Sequence, residues 1–227
     1  LRYDAVFLDI DGTLLWVDLD VEGYVSALSP YTTDGPLTVE KATGPVWKGL
    51  KTHIRENINY ATEEELARFR RENAENTART LGLDAPTDLL VEVAGRCTVF
   101  NPYCESEAVL EELRSIGVPL YALSNWDIGL EGVLEELGWR RFFDDLVVSA
   151  IVGAEKPEGT IFEEALRVAG VEGHRAVHVG NDPVSDVRGA ARAGIDAVLV
   201  DRRGGVEAPE ATAVLPDLRG LPRFVRG

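Results

Sequence analysis

The sequence predicts an α/β fold: a parallel sheet between two layers of helices, interrupted once by an all-helical insertion. Two observations carry that reading. Over the carboxy-terminal half, short apolar runs alternate with segments whose apolar residues recur at helical spacing, and a glycine closes most of those helices. Between Trp16 and Thr98 the alternation stops and only helical patterns remain. Strands that alternate with helices pair in parallel through right-handed crossovers, which leaves helices on both faces and gives a three-layer α/β/α core.

The first strand is apolar through Val6, Phe7 and Leu8 and runs into Asp9. In the insertion, Val46, Leu50, Ile54 and Ile58 at i+4 steps mark one helix. Thr62-Glu63-Glu64-Glu65 opens another as a capping box, in which the threonine and the last glutamate each satisfy a free backbone N–H. A third helix covers Asp88 to Arg96, with Leu89, Leu90, Val93 and Ala94 inward. The sheet then resumes. A helix over Glu107 to Ile116 stops at Gly117, Val118 to Leu123 is a buried strand, and the helix marked by Leu130, Val133, Leu134 and Leu137 ends at Gly138. Leu146 to Ser149 is a strand, Thr160 to Ala169 a helix ending at Gly170, and Ala176 to Val179 a strand. Val184 to Ala193 is a helix closed by Gly194, and Ala197 to Val200 is the last strand. The tail after Asp201, rich in Gly, Pro and Arg, is expected to be irregular and packed on the surface. The expected domains are residues 1–15 with 99–227 as the core and 16–98 as a helical cap, inserted where it can act as a lid.

With 227 residues and 45% hydrophobic content, the chain can bury a full core. No apolar run approaches the roughly 18 residues of a membrane-spanning helix, and none reads as a signal peptide, so a cytoplasmic protein without a membrane partner is expected. Cys97 and Cys104 match no zinc spacing and read as free thiols of a reducing compartment. A net charge of −16 argues against nucleic acid and leaves any anionic ligand in need of a local cation. The only lysines are Lys41, Lys48, Lys51 and Lys156, so a lysine in a chemically suggestive place carries weight.

Four elements fall at the carboxyl ends of four expected strands, and one sheet edge would gather them. The first is Asp9-Ile10-Asp11-Gly12-Thr13. Two carboxylates so close repel each other unless a cation lies between them, so the pair reads as a metal and catalytic site. The second is Ser124-Asn125, where a hydroxyl and the following backbone N–H groups suit phosphate oxygens. The third is Lys156-Pro157, with proline favouring an extended Lys156 just before a helix. The fourth is Gly180-Asn181-Asp182-Pro183-Val184-Ser185-Asp186, which returns carboxylates to the site.

These four motifs, in this order, resemble the haloacid-dehalogenase (HAD) superfamily of hydrolases, over nearly the whole chain. The resemblance implies a Rossmann-like core with an α-helical cap inserted between the first and second motifs. It implies Asp9 as a nucleophile that takes a phosphoryl group, and Asp11 as the general acid and base. Ser124 would bind the transferring group, with Asn125, Gly12 and Thr13 beside it, and Lys156 would offset its charge. Mg²⁺ would sit between Asp9, the backbone carbonyl of Asp11 and an acid of the fourth motif. The dehalogenase branch lacks an acid at the second position, so Asp11 selects phosphatase chemistry. The substrate expected is a small phosphorylated metabolite, turned over by a monomer or homodimer through an aspartyl-phosphate. Alternatives are a phosphomutase or phosphotransferase, a haloacid dehalogenase, and a catalytically silent binding module. The fourth motif departs from the common pattern, with Asn181 where many members place Asp. Counting back from Asp186, a three-residue gap makes Asp182 the ligand and a four-residue gap makes it Asn181; Asp182 and Asp186 jointly are preferred.

Other features are weaker. Asp18-Leu19-Asp20-Val21-Glu22-Gly23 mimics a calcium loop, but its twelfth position is Ser29 rather than glutamate. His53, His174 and His178 do not cluster, and His178 reads as a satisfied core histidine within a strand. Lys48, Lys51 and Arg55 share one helical stretch with Trp47, either facing an anionic substrate or forming a solvated face. Trp16 lines the entrance or plugs the connection.

Overall fold

The computed structural model describes all 227 residues and separates into two compact units, residues 1–16 with 102–227 and residues 17–101. Strand β1 (Ala5–Leu8) is buried along its whole length, as expected of a central strand covered on both faces. The chain then runs through β2 (Leu15–Leu19) into the second unit. There it forms α1 (Val21–Leu28), α2 (Val39–Glu56), α3 (Glu63–Leu81) and α4 (Thr87–Arg96), and returns by β3 (Thr98–Pro102). β2 and β3 pair with each other, which the all-helical reading of residues 16–98 missed. The signal lies in Leu15 to Leu19, whose buried and more exposed positions alternate with the period of a strand.

The second unit packs its own core from Tyr24, Leu28, Val46, Ala74, Leu90 and Val93. The capping box at the start of α3 is present: Glu65 N donates to Thr62 Oγ1 at 3.3 Å and Thr62 N to Glu65 Oε2 at 3.1 Å. The stretch that mimics a calcium loop is the start of α1. Asp20 spends its carboxylate on the Gly23 N–H at 2.8 Å and is a helix cap.

The first unit continues with α5 (Ser106–Ile116), β4 (Leu120–Ser124), α6 (Leu130–Glu136), β5 (Asp145–Val148), α7 (Ser149–Val152) and α8 (Gly159–Ala169). It closes with β6 (Ala176–Gly180), α9 (Gly189–Arg192), β7 (Asp196–Val200), β8 (Ala213–Leu215) and α10 (Leu221–Arg226). Six parallel strands lie in the order β5-β4-β1-β6-β7-β8, flanked by helices. Leu8, the last residue of β1, is in register with Ala122 on one side and Val179 on the other, so β4 runs on to Ser124 and β6 to Gly180 beside Asp9.

One expectation is corrected: the tail is not irregular, since β8 adds a sixth strand beside β7, and Leu218, Leu221 and Val225 are buried. The helix expected over Val184 to Ala193 is present, but its first part, Pro183–Arg188, is wound as a wide π-helical turn that runs directly into the short α9. Val187 N reaches back five residues to Asp182 O at 3.2 Å, a widening that recurs at functional sites.

Candidate active site

The chain reverses its direction of travel across the sheet at β1, and open α/β sheets gather ligands outside strand ends at such a point. Asp9 follows β1 and stays in strand register through its own N–H, which donates to Val179 O at 2.9 Å. Its carboxylate is buried and ringed by donors. Oδ1 accepts from Lys156 Nζ at 2.7 Å and from Ser124 Oγ at 3.2 Å, and Oδ2 accepts from Thr13 Oγ1 at 3.1 Å. The first three motifs therefore converge on one carboxylate.

Asp11 stands two residues on, half-buried, in the turn that Gly12 closes by donating to Leu15 O at 2.7 Å. Gly12 has φ +81°, where a side chain is strained, and a Cβ there would collide with the Asn181 amide. The loop is also held from the tail. Arg202 Nη2 donates to Thr13 O at 2.8 Å and Nη1 to Glu105 Oε1 at 2.6 Å, with the guanidinium 3.5 Å above the Tyr103 ring. Burial pushes the Glu105 carboxyl up, but the hydrogen bond and charge of Arg202 outweigh it and hold it below the ordinary glutamate range. Sequence reading missed Arg202 because it lies in the segment taken as irregular.

Lys156 is 4% exposed, and its ammonium bridges Asp9 Oδ1 and Asp186 Oδ1, the latter at 2.6 Å. Its backbone is clamped by Asn125: Lys156 N donates to Asn125 Oδ1 at 2.7 Å, and Asn125 Nδ2 donates to Lys156 O at 3.0 Å. Asn125, expected beside the phosphoryl group, thus commits both ends of its side-chain amide to placing Lys156. The Lys156–Pro157 peptide is cis.

In the fourth motif, the two candidates Asp182 and Asn181 are placed differently. Asp182 is exposed, and its Oδ1 accepts from Val184 N at 2.8 Å and Ser185 N at 2.7 Å, capping the wide turn. Asn181 stands beside Gly12, with Oδ1 3.4 Å from Thr13 Oγ1. Asp186 is buried and turned inward: Oδ1 accepts from Lys156 and pairs with His178 Nε2 at 2.9 Å, and Oδ2 accepts from Asp182 N at 2.9 Å. A Cβ on Gly180 would fall inside the Asp186 carboxyl, so glycine is what lets Asp186 return to the strand.

The charges follow from this packing. Burial pushes Asp9 up, Lys156 pulls it back only in part, and the negative charge of Asp186 adds to the rise. Burial acts on Asp186 too, but Lys156 and His178 together hold it well below the carboxylate range. Burial would lower Lys156, and the two carboxylates overcome that and keep it charged.

The chain gathers no cluster of three or more carboxylate, histidine or cysteine ligands. Oxygens that could hold a cation are Asp9 Oδ2 and Asn181 Oδ1, which flank the Thr13 hydroxyl, with the backbone of Asp11 adjacent. Hard oxygens with a single carboxylate fit a small divalent cation that keeps several waters. In the second unit, Lys48, Lys51 and Arg55 are exposed on α2; the two lysines carry no ion pair, and Arg55 meets Glu56 at 2.9 Å. Both cysteines are free, Cys97 buried and Cys104 exposed.

Residues 3–194 match the family model described as haloacid dehalogenase-like hydrolase, and the chain belongs to that family. It is 34% identical over 217 residues to a glyceraldehyde 3-phosphate phosphatase of Methanothermobacter thermautotrophicus, covering 87% of this chain and 85% of that protein. It is 42% identical over 118 residues to a phosphoserine phosphatase of Thermus thermophilus, covering 52% of this chain and 46% of the relative. Among solved structures, a HAD phosphatase from Thermococcus onnurineus superposes with a TM-score of 0.63 at 24% identity, covering 99% and 98% of the two chains. The L-2-haloacid dehalogenase of Xanthobacter autotrophicus does so at 0.66 and 24%, covering 99% of each. At that identity, these two likenesses speak to the fold. No helix is long and apolar enough to cross a membrane.

Proposed function

We propose that this protein is a Mg²⁺-dependent phosphatase that hydrolyses a small phosphorylated metabolite through an aspartyl-phosphate on Asp9. The observation that carries the reading is the convergence of Lys156, Ser124 and Thr13 on the two oxygens of one buried carboxylate at a strand end. Phosphoryl transfer asks a protein mainly for positioning and for neutralisation of charge, and a single ammonium with hydroxyl donors supplies part of both. The two relatives named as phosphatases support the substrate class.

Each residue then has a task. Asp9 attacks phosphorus and carries the phosphoryl group as an acyl phosphate, which splits one displacement into two. Asp11 protonates the departing alcohol and later takes a proton from the attacking water. Ser124 and the backbone that follows it bind the transferring oxygens, and Lys156 balances charge on them and on Asp9. A bound Mg²⁺, held by Asp9, Asn181 and the Asp11 carbonyl, would add the remaining positive charge. Asp186 holds Lys156 rather than the cation. Substrate selection is assigned to the inserted unit, with Lys48, Lys51 and Arg55 as its cationic contribution.

The acid at position 11 favours phosphate esters over carbon–halogen bonds, since only the former need a protonated leaving group. The test is p-nitrophenyl phosphate with Mg²⁺ and with chelator, followed by a panel of phosphometabolites and 2-haloacids. We expect turnover with Mg²⁺ only, its abolition in Asp9→Asn, and no halide release. Activity of Asp9→Asn within tenfold of the parent, or halide release from a haloacid, refutes the reading.

A further inference from the structure

We propose that His178 is a positioning residue: its Nε2–H fixes the Asp186 carboxylate and so aims the Lys156 ammonium at Asp9. The inference deepens the reading of Asp9 and Lys156 given above and rests on it. β6 reads Ala-Val-His-Val-Gly and is buried at every position, so the histidine is the one side chain in it that pays for burial with a hydrogen bond. It makes only one. Nε2 faces Asp186 Oδ1 at 2.9 Å, while Nδ1 is buried with no partner at all. A fold that leaves one ring nitrogen orphaned in order to keep the other is retaining the Asp186 contact. Because Asp186 is an ionised acceptor, Nε2 carries the proton. The ring cannot swing away: Phe162 packs edge-on against it, with centroids 5.6 Å apart and planes at 80°.

The consequence reaches the reacting atoms through charge. Asp9 and Asp186 share a single ammonium, at 2.7 and 2.6 Å. The proton of His178 satisfies part of the demand of Asp186 and leaves the ammonium divided between the two. Without it, Asp186 draws Lys156 toward β6 and away from Asp9. Small misplacements of this kind cost as much as about 10²-fold in rate.

The spacing of amides provides the test. The Nε2 of a glutamine falls close to the Nε2 of histidine, whereas the Nδ2 of an asparagine falls near Nδ1. With p-nitrophenyl phosphate and saturating Mg²⁺, His178→Asn and His178→Leu should lose about 10- to 100-fold in kcat with KM within about threefold of the parent. His178→Gln should retain kcat within about threefold. Inhibition by vanadate, which mimics the transition state, should weaken in step with kcat while inhibition by phosphate stays unchanged. Asn as active as Gln, or Gln as impaired as Leu, overturns the proposal while leaving the phosphatase reading intact. A nitrogen NMR spectrum of the ¹⁵N-histidine-labelled parent tests the hydrogen bond without requiring any variant to fold. The buried histidine should be protonated at Nε2, and protonation at Nδ1 alone overturns the proposal even if the parent proved inactive on phosphate esters.

Discussion

Lys156→Met keeps the length and apolar stem of the side chain and removes only its charge. In the parent, that charge lies between two buried carboxylates, Asp9 at 2.7 Å and Asp186 at 2.6 Å. Deleting one partner of a buried ion pair leaves an uncompensated charge and costs about 3–5 kcal/mol. Two carboxylates are orphaned here, but Asp186 keeps His178 and the Asp182 N–H, so the cost stays within that range rather than doubling it. We expect a loss of about 4 kcal/mol, together with turnover below detection. Because the chain has two units, a single melting temperature mixes their transitions. Native-state hydrogen exchange of the β1, β4 and β6 amides, in chelator, reads the opening of the core unit directly, and the expected loss corresponds to exchange about 10³-fold faster. Adding Asp186→Asn to Lys156→Met removes one orphaned charge and should recover about half of the loss. A single-variant loss under about 1 kcal/mol, or a double variant that loses the sum of the two, would refute the view of Lys156 as the charge that holds both carboxylates in place.

Asp11→Asn should cost on the order of 10²–10⁴ in rate on an alkyl phosphate and far less on p-nitrophenyl phosphate, whose leaving group needs no proton; equal losses on both contradict the assignment. Asn181→Ala should raise the Mg²⁺ concentration needed for half-maximal rate more than Asp182→Ala does, because the Asp182 carboxylate is committed to Val184 N and Ser185 N; magnesium titrations showing the opposite order return Asp182 to the metal. Glu105 has a lowered pKa when folded, so its stabilising effect is present above the ordinary glutamate range and disappears as pH falls through the lowered value. Glu105→Gln should therefore be less stable at neutral pH and show a shallower acid limb in urea unfolding, and an unchanged limb removes Glu105 from the acid response.

The central strand and its two aspartates are legible because burial on both faces forces an unbroken apolar run, and the first polar residues after it mark the sheet edge. Lys156 stands out because the chain has so few lysines. The fourth motif resists reading because spacing alone admits both Asn181 and Asp182. The structure shows one role for Asp182: it precedes Pro183, and aspartate followed by proline is a usual opening of a helical turn, in which the carboxylate faces its own backbone. His178 reads as a core histidine, and the structure bears this out: a single polar side chain in an otherwise apolar strand needs a partner, and Asp186, eight residues further on, supplies it. β8 escaped because three residues are too few to show a period, and Arg202 escaped with it.

The loop after β6 turns one of its two carboxylates inward and the other outward, and the backbone decides which. An ordinary α-helical turn from Pro183 would close on i→i+4 bonds alone. Here Asp182 O receives both Asp186 N at 3.0 Å and Val187 N at 3.2 Å, which widens the turn. Asp186 then folds back over Gly180, where no side chain stands in its way, and its Oδ2 takes the Asp182 N–H. Asp182 is thereby held at both ends, its N–H by Asp186 and its carboxylate by the turn it caps, and so faces solvent. The oxygen left to face Asp9 across Thr13 is the amide oxygen of Asn181, a neutral donor. A cation held by one carboxylate and an amide is bound less firmly than one held by two carboxylates. An amide rather than a carboxylate at position 181 also gives the site one negative charge fewer, which eases the approach of a phosphate dianion to a chain of net charge −16.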